Sequence, residues 1–143
     1  MGNEYNTALV IGAGLSLLAA LMHVAVIMVG PSWYHLFGAG ERFVRAAKAG
    51  RRFPAVITAG IALVLAAWSA YALSGAGVIE PLPLLRPALC AITLIYLLRG
   101  LLGPFTLPGT GRSIRFIMIS SAVCLLYGLV HLFGLVHVWG RLA

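Results

Sequence analysis

Acidic residues are almost missing from this chain of 143 residues, which has three Asp and Glu against ten Lys and Arg. The three are Glu4, Glu41 and Glu80, and none lies within a long apolar run. Intramembrane carboxylates commonly couple ion movement or serve as general acids and bases, so their absence weakens both functions here. Charged residues make up only 9% and hydrophobic residues 62%, which leaves too little polar surface to cover a soluble globule.

Cysteine is equally scarce. Cys90 and Cys124 lie in different apolar runs, and we interpret both as small packing residues. The sequence contains neither a Cys-x-x-Cys pair nor a His-Glu-x-x-His motif. His23 and His131 are offset by about 10 Å along the membrane normal on a helical rise of about 1.5 Å per residue, which argues against shared haem ligation. We therefore predict no metal and no cofactor.

Four apolar runs fill most of the sequence, and about 20 such residues suffice to cross a hydrocarbon core roughly 30 Å thick. They cover residues 8–30, 53–74, 84–102 and 113–139, with an amphipathic segment, 31–52, between the first two. The first run is longer than the apolar core of a secretory signal and follows no basic residue, so we expect it to remain a span. The sequence predicts an all-α integral membrane protein, a single transmembrane domain over 1–143 built as a four-transmembrane-helix bundle.

Basic residues concentrate beside alternate joints between the runs. The first and third joints carry Arg42, Arg45, Lys48, Arg51, Arg52, Arg99, Arg112 and Arg115, whereas Arg86 and Arg141 lie at the other side. Because Lys and Arg near span ends favour the cytoplasmic side, we predict both termini outside the cytoplasm, in a bacterial-type inner membrane. The same rule accounts for the net charge of +7 without nucleic acid as a partner.

The amphipathic segment between the first two runs is the most particular part of the chain. Its apolar residues can share one helical face, which predicts a short interfacial helix in contact with membrane lipid. That face comprises Trp33, Leu36, Phe37, Phe43, Val44 and Ala47. Gly38 and Gly40 are placed to interrupt the helix with a tight turn. Lipid anchoring explains the segment simply; the alternative is that Glu41, His35 and Tyr34 cap a cavity from below.

Polar residues inside the apolar runs are costly unless they face the bundle interior, so they are the main functional candidates. The clearest stripe lies in the fourth run, at spacings of four, three and four: Ser120, Cys124, Tyr127 and His131. Helical rise sorts the candidates into two layers along the membrane normal. The outer layer holds Ser16, Ser69, Cys90, Thr93, Tyr127 and His131, and the inner layer holds His23, Thr58, Arg99 and Ser120, with Glu41 below. Helix packing would use the same residues, and Arg99 can extend to the interface.

Three functions remain compatible with these patterns. We favour binding or transport of a lipid-like or amphipathic small molecule in a polar-lined bundle cavity, by a homo-oligomer. Its candidate ligand-binding residues are His131, Tyr127, Cys90, Thr93, Ser69, Ser16, His23, Arg99 and Glu41. The second is a small membrane enzyme acting on an apolar substrate, with His131 or His23 as acid or base and Tyr127 assisting. The third is a structural subunit, with a filled bundle, that packs against a membrane-protein partner.

Overall fold

A computed structural model describes residues 4–142 of the protein and, within them, six α-helices followed by a short 3-10 helix. The α-helices are α1 (Thr7–Val29), α2 (Pro31–Leu36), α3 (Glu41–Lys48), α4 (Phe53–Ala76), α5 (Leu85–Thr106) and α6 (Ile114–Val138), and the 3-10 helix is Trp139–Arg141. Four of them, α1, α4, α5 and α6, are long and apolar enough to cross a membrane. The prediction of an all-α membrane bundle is confirmed.

Successive long helices run in opposite directions. The hairpin of α1 and α4 packs against the hairpin of α5 and α6, chiefly through α1 and α6. Both ends of the described part of the chain lie at one end of the bundle. There the backbone N–H of Asn6 donates to the carbonyl of Ala76 at 3.0 Å, and its side-chain amide donates to the carbonyl of Gly134 at 3.4 Å. We call this the far end. The opposite end carries α2, α3 and the α5–α6 loop, together with most of the basic residues, and we call it the basic end.

Local chemistry explains most helix boundaries. The side chain of Asn6 caps α1 by accepting from the N–H of Leu9 at 2.8 Å, and Ser113 caps α6 in the same way. The end of α5 differs from the predicted run, because the helix continues about one turn beyond residue 102, through Gly103 and Pro104. Proline is tolerated there because it removes only one backbone hydrogen bond, close to the helix end.

The segment between α1 and α4 folds as two short helices joined by a turn at Gly38 and Gly40. These glycines have φ of 63° and 91°, left-handed values that other residues rarely adopt. Gly38 also lies against α6, where an added Cβ would collide with the ring of Phe116. The turn is therefore docked on the bundle at the basic end.

The buried face of this segment differs from the predicted one at three positions, of which one is Ala46, buried although not assigned to that face. Tyr34, proposed to cap a cavity, is only 3% exposed and packs with Val26 and Val44 in an apolar cluster. Leu36, assigned to the apolar face, is 66% exposed. The difference arises because the turn at Gly38 gives α2 and α3 separate axes, so a single helical projection across both does not apply.

Glycines bring α5 and α6 into close contact. A Cβ added at Gly100 would lie 2.6 Å from the backbone N of Leu125, and one at Gly128 would lie 2.9 Å from the backbone N of Leu97. Small residues at such positions allow two helix backbones to approach, which strengthens their van der Waals packing. The hairpin of α5 and α6 is consequently a tight unit whose outer groove is shaped by backbone.

Candidate functional site

Tyr96 of α5 lies at the centre of the bundle and was not among the predicted site residues. Its Oη is 2.8 Å from Oγ of Ser16 on α1, and either hydroxyl can donate. The ring packs edge-on against Trp68 of α4, with centroids 5.1 Å apart, and against Tyr127 of α6, at 5.5 Å. Since these contacts come from all four long helices, Tyr96 fills the middle of the interior.

His131 of α6 is completely buried beside this tyrosine. Its Nδ1 donates to the carbonyl of Tyr127 at 2.8 Å, and its ring centroid lies 5.2 Å from that of Tyr96. A Cβ added at Gly12 of α1 would lie 2.9 Å from Cε1 of the histidine. Nε2 is buried and has no hydrogen-bond partner among the described residues. The imidazole therefore packs closely against the backbone of α1 and the ring of Tyr96.

Other predicted polar residues satisfy their hydrogen bonds within the bundle. Ser69 Oγ donates across the α1–α4 contact to the carbonyl of Ala13, at 2.8 Å. Thr93 Oγ1 and Thr58 Oγ1 each donate to a carbonyl one turn earlier in their own helix, at 2.7 Å. His23 is half-buried, and its Nδ1 likewise bonds within α1 at 2.7 Å. These groups contribute to packing and do not converge on one open point.

The two cysteines are free and half-buried, in agreement with their interpretation as packing residues. Cys90 lies against an apolar cluster at the far end that includes Leu9 and Leu89. It is thus separate from the centre formed by Tyr96 and His131. Within residues 4–142, no three His, Cys, Asp or Glu side chains are grouped to hold a metal ion.

Arg99 is a charged residue inside a spanning helix, and it faces the groove between α5 and α6. Its Nη1 donates to Oγ of Ser121 and its Nη2 to Oγ of Ser120, both at 3.2 Å. The backbone of Gly103 makes room for this arrangement, because a Cβ there would collide with Nη1 of the arginine and with Oγ of Ser121. Both partners are neutral hydroxyls, so they orient the guanidinium without cancelling its charge.

A concave surface with a volume of about 410 Å³ lies at the basic end, between α3 and the α5–α6 loop. We call it the basic cleft. Its apolar residues are Leu36, Val44 and Phe116, and its ionisable residues are His35, Glu41, Arg45, Lys48 and Arg112. Arg112 closes one side, donating to the hydroxyl of Thr110 at 3.0 Å and to the carbonyl of Ala39 at 3.4 Å. Of the predicted site residues, Glu41 lines this cleft.

A wider cleft, about 960 Å³ in volume, opens at the far end beside the α4–α5 loop. Ser74 holds that loop, since its hydroxyl donates to the carbonyl of Glu80 at 3.0 Å and accepts from the N–H of Leu82 at 2.9 Å. Arg86 lines the cleft, and its guanidinium lies 3.9 Å from the ring centroid of Trp139. Arg86 thus has an aromatic partner through a cation–π contact, whereas the partners of Arg99 are the two serine hydroxyls.

The sequence contained the spacing that identifies Tyr96. Along α5, residues separated by three, four and three are all buried: Thr93, Tyr96, Gly100 and Gly103. On α6, Ser121 was also not predicted; it is 3% exposed and lies next to the predicted Ser120.

Comparisons with protein-family models, with curated proteins and with solved structures gave no match to this chain.

Proposed function

We propose that this membrane protein binds an anionic amphiphile, a lipid-like molecule, in the basic cleft. The observation that supports this most directly is that apolar and cationic side chains line the same concavity. Arg45, Lys48 and Arg112 contribute three positive charges there against the single carboxylate of Glu41. A volume of about 410 Å³ also falls within the range of roughly 300–1,000 Å³ that small-molecule sites occupy.

The two chemistries of the cleft suit the two parts of an amphiphile. Leu36, Val44 and Phe116 would contact the apolar part, for which burial of carbon surface is the driving force. Arg45 and Lys48, on the polar face of α3, would attract a phosphate or carboxylate head group. The exposed apolar side chain of Leu36 is thereby explained as part of the binding surface.

The packing at the centre of the bundle favours a ligand site at the basic end over one in the interior. Tyr96 and His131 are buried among aromatic rings and glycine backbone, so a ligand there would have to displace core side chains. An acid–base enzyme needs two catalytic groups within about 3 Å of one reacting atom in an accessible site. The closed surroundings of His131 and Tyr127 disfavour that alternative.

The basic end would face the cytoplasm of a bacterial-type inner membrane, with both termini on the opposite side. Lys and Arg beside span ends set this orientation, and the cytoplasmic leaflet has a negative surface potential that attracts basic segments. Arg42 and Arg45 of α3 would then lie at the level of the lipid head groups.

Binding can be tested with dodecyl phosphate, titrated into the purified chain in a non-ionic detergent. The variant R45Q/K48Q removes two charges from the cleft, whereas R51Q/R52Q removes two exposed charges at the same end that do not line it. We expect affinity to fall about tenfold or more for the first pair and little for the second, because charge-assisted contacts are strong only where the anion docks. Equal weakening would indicate a diffuse charge effect and contradict the site. Dodecanol, which lacks the charge, should bind weakly to all three proteins.

A second candidate, a structural subunit of a larger membrane complex, is supported by the filled interior. Ser16, Tyr96 and His131 are at most 5% exposed, and Ser16 and Tyr96 join α1 to α5, as a packing role requires. This function predicts that the isolated chain is poorly stable in lipid nanodiscs. Cooperative thermal unfolding of the pure protein, with a high midpoint, would argue against it.

A further inference from the structure

We propose that the groove between α5 and α6 is a second anion site, in which Arg99, Ser120 and Ser121 bind the phosphate group of a phospholipid. The lipid would come from the leaflet at the basic end. None of the three residues lines the basic cleft, so this inference stands independently of the proposed function.

Arg99 has no acidic partner within the spanning helices. The chain has three acidic residues, Glu4, Glu41 and Glu80, and all lie outside α1, α4, α5 and α6. A cation within a spanning segment is costly unless an anion or water reaches it, which is why such residues commonly mark a binding function. The hydroxyls of Ser120 and Ser121 supply acceptors but no negative charge.

Depth determines which anion can reach the guanidinium. The Cα of Arg99 lies seven residues before the end of α5 at Thr106, about 10 Å along the axis. The side chain extends towards the basic end, since its Nη1 lies over Gly103, one turn closer to that end. The guanidinium is thereby within about 5 Å of the helix end on the same rise. Head-group phosphates of the adjacent leaflet would lie near this level if the end of α5 meets the membrane surface, and basic pockets between spanning helices are suited to such head groups.

The hydrogen bonds of Arg99 orient its guanidinium for contact with a phosphate group. The two serine contacts fix the plane of the guanidinium, and Ser120 is itself held because its hydroxyl donates to the carbonyl of Ile117 at 3.2 Å. A guanidinium has five N–H donors, so the two used by serines leave others for a bidentate phosphate contact. Arg99 and Ser120 are both half-buried, which keeps the groove open to lipid on one side.

The test uses the full chain in nanodiscs of phosphatidylcholine with increasing phosphatidylglycerol, and native mass spectrometry counts the retained anionic lipid. We expect the occupancy of one phosphatidylglycerol site to fall about tenfold in R99Q relative to the natural protein, since the variant loses a charge-assisted contact. R86Q makes the same charge change at the far end and should retain the lipid normally. R51Q/R52Q removes two exposed charges at the basic end that line neither site, and it should also retain the lipid. Loss in R45Q/K48Q without loss in R99Q would assign the lipid to the basic cleft and overturn this inference.

A charge-preserving variant keeps the inference testable if R99Q folds poorly. G103A would push the guanidinium and Ser121 out of position without changing any charge, and it should weaken retention as R99Q does. Equal retention by the natural protein, R99Q and G103A would overturn the site. Inorganic phosphate, added to the protein in nanodiscs of phosphatidylcholine alone, tests whether free phosphate is the ligand. If it raises the unfolding temperature of the natural protein but not of R99Q, free phosphate is the ligand and the lipid source is wrong.

Discussion

The hydroxyl oxygens of Ser16 and Tyr96 meet at 2.8 Å in the middle of the bundle, joining α1 to α5. Both side chains are at most 5% exposed, so neither hydroxyl has water as an alternative partner. Their bond connects the two helical hairpins at a point where α1 and α5 otherwise make few contacts. Polar residues of this kind orient helices relative to one another within a membrane.

Replacing Tyr96 by Phe should lower the free energy of unfolding by about 1 kcal/mol, because it removes a buried hydrogen bond and leaves the ring packing intact. Unfolding in mixed micelles measures the change. The matched control is Y71F, whose hydroxyl donates to the carbonyl of Pro83 at 3.1 Å in an exposed position and should contribute less. If S16A and Y96F lower stability additively in the double variant, the two hydroxyls do not act together.

Gly12 and Gly14 of α1 provide a paired test of packing against His131. G12A places a methyl group 2.9 Å from Cε1 of the histidine, and we expect a loss of about 1–3 kcal/mol from overpacking. G14A places the methyl group in open space. It should be neutral or stabilising by up to about 1 kcal/mol, because alanine has a higher helix propensity than glycine. Similar unfolding free energies for the two variants would contradict the buried position of the histidine ring.

Alanine substitutions at His131 and His137 distinguish a packing role of His131 from a ligand-binding role. H131A should cost about 2–4 kcal/mol of stability, because it leaves a cavity in a fully buried position. His137 is exposed and bonds only within its own helix, to the carbonyl of Phe133 at 2.9 Å, so H137A should have little effect. Under the proposed function neither variant changes the affinity for dodecyl phosphate. Selective loss of binding in H131A would instead restore a ligand site in the interior.

Orientation can be measured by labelling single cysteines from outside intact cells. In a C90A/C124A background, V78C lies in the α4–α5 loop at the far end and T110C lies in the α5–α6 loop at the basic end. The charge rule leads us to expect that a membrane-impermeant maleimide labels V78C and spares T110C. The reverse pattern would place the basic end outside and contradict lipid attraction from the cytoplasmic leaflet.

Hydropathy and the positions of glycine were sufficient to predict the four spans and the turn between α2 and α3. These features depend on local properties, namely the length of an apolar run and the backbone freedom of Gly38 and Gly40. The extension of α5 through Pro104 was missed, because glycine and proline together are typical of a loop and the packing of Gly103 under Arg99 is not visible locally.

The burial of Tyr96 and Ser121 became evident only in the folded bundle. Spanning helices are apolar on nearly every side, so hydropathy alone does not reveal which face is buried. For this reason Tyr96 and Ser121 were overlooked, although Ser16, Tyr127 and His131 were placed inside correctly. The basic cleft brings Glu41 and Phe116 together from distant parts of the chain, and such contacts depend on how the α2–α3 turn docks on α6.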